Sequence, residues 1–161
     1  MARPLPHRHD DLYERDFHAW TQAQAEALRM RRFDRIDLEN IVEELETLGR
    51  SERHAIRNRL GVLLMHLLKW AWQPEKRSSG WRGTILEQRR QLRRLLDENP
   101  SLHSLPASAL ADEHDVARLK AAGDTGLPEA VFPTSCPFTI DEILNEDFWP
   151  ELGGKRGLPP E

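Results

Sequence analysis

Cysteine is nearly missing from this 161-residue chain. The single Cys136 cannot form an internal disulfide, so a reducing compartment, the cytoplasm, is expected. No apolar run approaches the roughly 20 residues that a membrane helix needs, so no membrane is expected as a partner. A charge excess is also lacking: 23 basic residues stand against 27 acidic ones, a net charge of −4. Such a balance gives no general attraction to nucleic acid or anionic lipid. The serine nucleophile elbow, the phosphate-binding loop and the dinucleotide glycine pattern are all missing. Asp124-Thr125-Gly126 has the letters of an aspartic-protease motif, but no strand pattern surrounds it. Residues 1–10 are polar and rich in Pro and His, unlike a signal peptide.

What is present reads as helix. The length suits one domain. With 39% hydrophobic and 31% charged residues, each helix can bury one stripe and solvate the rest. A disordered tail is expected over 1–10, a single helical domain over 11–151 and a flexible tail over 152–161. The first helix is expected from Asp11 to about Arg32. Asp37 is a good N-cap for a second helix reaching about Leu48, whose stripe is Leu38, Ile41, Val42, Leu45 and Leu48. Gly49 either ends that helix or sits inside one long helix from Asp37 to Gln73; a break or sharp kink is the favoured reading. Ser51 to Gln73 is the core helix, apolar on more than half its circumference after Leu60, and Pro74 stops it.

A fourth helix is expected from Trp81 to Asn99, and a weaker fifth from Leu105 or Pro106 to Ala122, ended by Gly123. Pro and Gly then punctuate an extended segment with apolar anchors at Leu127, Val131 and Phe132. Thr139 and Glu142 spell a capping box, so Thr139 to Asn145 is a short helix. The fold expected is all-α: a bundle of four to five helices with an extended Pro/Gly-containing C-terminal strap and a short terminal helix.

Several of these pieces, in this order, resemble a bacterial all-helical family, domain of unknown function 29. They are Asp16-Phe17-His18-Ala19-Trp20, Leu38 to Glu46, Leu48-Gly49-Arg50-Ser51-Glu52-Arg53 and His66-Leu67-Leu68-Lys69-Trp70. They continue with Trp81-Arg82-Gly83-Thr84-Ile85, Glu87-Gln88-Arg89, Thr125-Gly126-Leu127-Pro128 and Glu146-Asp147-Phe148-Trp149-Pro150. The resemblance covers Tyr13 to Glu151. It implies a compact helical domain and supplies no activity and no catalytic residues.

Two constellations remain as candidates. The first is the junction around Pro74. Between Lys76 and Arg94 seven cations stand against one carboxylate, Glu87, and Trp70, Trp72 and Trp81 flank the run. Arginine with aromatics suits a protein interface or a single nucleic-acid strand. Lys69, Trp70, Trp72, Trp81, Arg82, Arg89 and Arg93 are therefore the candidate partner-binding residues. The competing reading pairs the cations internally, with Arg89 and Arg93 facing Glu43 or Glu46 on the acidic second helix. Trp70 and Trp72 lie about 200° apart on a helix, so they cannot share one helix–helix contact. The second candidate is a polar seam of Glu44, Glu52, Arg59 and His66, with Gln73 continuing its spacing. It is either a set of packing hydrogen bonds or a Glu/His acid–base or metal site. The Glu-x-x-His pairs of bundle metal centres are missing, so no metal and no cofactor are expected. The function expected is a non-enzymatic interaction or regulatory protein with an unidentified protein partner. An enzyme built on the seam is the alternative, and nucleic-acid binding through the fourth helix ranks below it. Weak homo-oligomerisation is the expected assembly.

Overall fold

The computed structural model describes residues 10–151 and the backbone of Arg156–Gly157. The remainder of the two expected tails lies outside the described residues. Among the described residues there are six α-helices: α1 (Asp10–Arg15), α2 (Phe17–Arg29), α3 (Leu38–Trp72), α4 (Ser79–Glu98), α5 (Leu105–Thr125) and α6 (Ile140–Leu144). The protein is an all-α helical bundle. A two-residue antiparallel ladder, β1 (Trp149–Pro150) with β2 (Arg156–Gly157), is the one departure among the described residues.

Three boundaries differ from expectation. The first expected helix is two, because the Asp16 carboxylate accepts from the Ala19 amide at 2.9 Å and caps α2. Side chains that bond the local backbone in this way interrupt a helix and restart it. Gly49 does not break α3, which runs 35 residues without interruption. A mid-helix glycine costs only about 1 kcal/mol, and its neighbours hold the turn: Arg50 donates to Thr47 Oγ1 and pairs with Glu46. Gly123 does not end α5. The helix continues to Thr125 and stops at Gly126, whose φ of 71° is the left-handed cap that glycine adopts without penalty.

The described residues divide into two compact units, with the boundary between Arg50 and Ser51. In the first, Tyr13, Phe17 and Trp20 form an aromatic trio with centroids 4.9–5.8 Å apart. Asp37 organises the entry into α3. It caps the helix through the Asn40 amide, and its carboxylate also accepts from Trp20 Nε1 at 3.1 Å and Asn40 Nδ2 at 2.7 Å. Its own amide donates to the buried Gln24 Oε1. Tyr13 OH donates to Glu44, which pushes the phenol up to about 12.

The second unit holds the apolar core. Ile56, Leu60, Leu63, Leu64, Leu67 and Leu68 of α3 meet Ile85 and Leu92 of α4 and the alanine face of α5, Ala109, Ala117 and Ala121. Burying each such leucine or isoleucine contributes about 1.5–3 kcal/mol. Alanine on α5 and Gly61 on α3 permit close approach: a Cβ at Gly61 would stand 3.3 Å from Glu113 Oε2. From Gly126 onward the chain straps across this core and buries Phe132, Phe138, Ile143, Phe148 and Trp149. Thr139 and Glu142 form the expected capping box at α6.

Candidate functional site

The junction lies within the second unit, and most of it faces inward. Lys69 is 7% exposed. Its ammonium pairs with Asp124 at 2.8 Å and sits 4.6 Å from the centre of the Trp81 ring. Trp70 is buried and packs on Trp149 at 4.8 Å. Trp72 is half-buried, 6.0 Å from Phe132 and 6.5 Å from Phe138. The 200° between the two tryptophans is resolved by the strap, which passes both faces.

Arg89 is completely buried. Nε donates to the Ile143 carbonyl and Nη2 to the Phe148 carbonyl, both at 2.8 Å, with Glu142 O at 3.5 Å. Trp149 covers the guanidinium at 5.4 Å. Burial lowers its pKa to about 10, against the opposing pull of Glu146 and Asp147. Arg77 makes a second clasp, donating to the carbonyls of Trp70 and Pro150 and lying over the Trp70 ring. Arg93 is exposed and shares Glu146 with Arg90. Arg82 is half-buried on α4.

Of the expected partner-binding residues, Lys69, Trp70 and Arg89 are buried, Trp72, Trp81 and Arg82 are half-buried, and Arg93 is exposed. Internal pairing occurs, but its acceptors are Glu146 and main-chain carbonyls of the strap in place of the anticipated Glu43 and Glu46. Chemically, the junction is a clasp: planar cations joining the helices to the C-terminal segment through main-chain carbonyls. Asp124, Arg77 and Glu146 complete it. Glu146 was legible only as a carboxylate near the aromatics, and Asp124 was hidden by the expected helix end at Gly123.

The seam residues each have their own partner. Glu44 belongs to the first unit and accepts from Tyr13. In the second unit Glu52 accepts from Asn99, 3.5 Å away, and Arg59 donates to Gln88. His66 bonds the Val62 carbonyl through Nδ1 at 2.9 Å, and burial lowers its pKa. Each residue ties its own helix to a neighbour or to itself. No group of three or more potential metal ligands comes together among the described residues. Cys136 is half-buried with its thiol raised by burial, which disfavours the reactive thiolate.

The stripe on the first third of α3 is a different surface. Leu38, Val42, Leu45 and Leu48 are 67%, 45%, 63% and 60% exposed. Glu39, Glu43 and Glu46 are exposed on the same stretch. Helical periodicity revealed the stripe, but it carries no signal of whether a stripe is covered.

No curated protein and no solved structure matches the chain. A family model does, over residues 12–149: domain of unknown function DUF29. The matched span contains both helices of the clasp, the strap and the exposed stripe, and the chain belongs to that family.

Proposed function

We propose that this protein is a non-enzymatic interaction protein whose binding face is the apolar stripe of α3 at Leu38, Val42 and Leu45. The observation that carries the reading is their exposure, on a stretch that is otherwise regular helix. Contiguous exposed apolar patches mark interaction sites. An α-helix that presents residues at i, i+4 and i+7 offers the spacing that a partner helix reads. Charge selects the partner. Glu39, Glu43 and Glu46 lie beside the stripe at about 100°, 140° and 80° from Leu38 on a helical wheel. The partner is therefore an amphipathic helix whose apolar face is edged with lysine or arginine. A cytoplasmic setting goes with this reading, supported by the lone cysteine.

A synthetic Leu/Lys amphipathic peptide and its Leu/Glu twin provide the test, each titrated into the full chain by fluorescence anisotropy. The Lys peptide should bind, the Glu peptide should not, and the double substitution Val42→Ser, Leu45→Ser should weaken binding at least tenfold. Equal binding of both peptides, or binding untouched by the double substitution, would overturn the proposal.

A further inference from the structure

We infer that the turn after α2 carries a separate binding site for a small organic carboxylate with an apolar tail. It uses none of the stripe residues, so the two readings stand or fall independently. A cleft of about 310 Å³ opens there, lined by Ala23, Gln24, Glu26, Ala27, Met30, Arg32 and Arg35. That volume is at the lower end of small-molecule sites, which run from about 300 to 1,000 Å³. Its floor is apolar: Ala27 is buried, Ala23 is exposed beside it, and Met30 supplies a flexible thioether that adapts to irregular shapes. Its rim is cationic. Arg32 and Arg35 are exposed and form no side-chain ion pair or hydrogen bond among the described residues. The one lining carboxylate, Glu26, is already engaged by Arg29 at 2.7 Å.

Local backbone structure explains why the arginines stand where they do. Arg32 N donates to Ala27 O at 2.8 Å and Arg31 N to Leu28 O at 3.1 Å, a Schellman termination with Arg31 at the left-handed position. Arg31 has φ 56°, where glycine is the relaxed choice. This reversal turns the chain back so that Arg32 and Arg35 rim the cleft. The same bonds occupy carbonyls that would otherwise present the negative end of the helix to an incoming anion. Met30 N takes Glu26 O as well. What remains open to a ligand is the two arginine side chains and the apolar Ala23, Ala27 and Met30, with Gln24 Oε1 already accepting from Asp37 N. A carboxylate fits the guanidinium forks in bidentate fashion, and an acyl chain fits the floor.

Calorimetric titration of the full chain with octanoate, octanol and inorganic phosphate tests this. Octanoate should bind at least tenfold more tightly than either of the others. The substitutions Arg32→Gln and Arg35→Gln together should remove that preference, and Met30→Glu, which places a carboxylate in the floor, should do so independently. All three positions are exposed, so the variants should fold, as far-UV circular dichroism would verify. Phosphate binding as tightly as octanoate would overturn the apolar half of the site. Octanoate binding that is absent, or indifferent to both variants, would overturn the site itself.

Discussion

Between Leu12 and Arg50 only Trp20, Gln24 and Ala27 are buried, and eight of the twelve exposed large hydrophobic residues among those described lie there. From Ser51 to Pro150 most apolar residues of three long helix segments and the strap turn inward, and even an arginine is enclosed. The first unit is held by a polar hub, Asp37, and three aromatic rings. The second is held by a hydrocarbon core closed by cations on carbonyls. The difference matters because apolar residues that are not needed for a core are available for binding.

The largest effect should come from the second unit. Arg89→Met strands the carbonyls of Ile143 and Phe148 in the interior, at about 1–3 kcal/mol for each buried acceptor left unpaired. Urea unfolding followed by tryptophan emission should show this; a loss below about 1 kcal/mol would mean the strap closes without its clasp. In the first unit, Asp37→Ala removes a helix cap and the Trp20 acceptor together, and should cost about 1–2 kcal/mol. If it costs as much as Arg89→Met, the contrast between hub and core fails.

Acid should separate the units next. Burial lowers the pKa of His114 and of His66, both in the second unit. For His114 a neighbouring Asp115 opposes the shift and Arg118 adds to it. An imidazole depressed in the folded state binds fewer protons than its unfolded counterpart between the lowered pKa and about 6.5. Stability is therefore intact above that pH and falls on acidification through it. His114→Leu should flatten the fall measured by urea midpoints from pH 7 to pH 5. The smallest effect on stability should come from Val42→Ser with Leu45→Ser, within about 0.5 kcal/mol. A large loss there would show the stripe to be part of a core.

Much of this architecture was legible because it is written in side chains. Asp37, Pro74 and the Thr139–Glu142 box announce where helices begin or end, and Phe132, Phe148 and Trp149 announce an anchored strap. The clasp was not legible, since Arg89 bonds main-chain carbonyls, and every residue carries one. Gly49 and Gly123 misled for a related reason: a glycine permits a break without requiring it, and the neighbouring turns decide. The stripe was visible as periodicity, but its exposure depends on where other elements go. The cleft was missed because Arg31 occupies a cap where glycine is the usual signal.

The clasp also imposes an order on synthesis. Arg89 leaves the ribosome 59 residues before Phe148, whose carbonyl it will hold. At about 5–20 residues per second, the guanidinium waits about 3–12 s for that acceptor. During that interval α3 and α4 can form and begin to pack, while the place of the strap stays open and its arginine remains in water. Closure has to wait for the strap, and a ribosome that pauses after Pro137 would hold the nascent chain with its core unsealed.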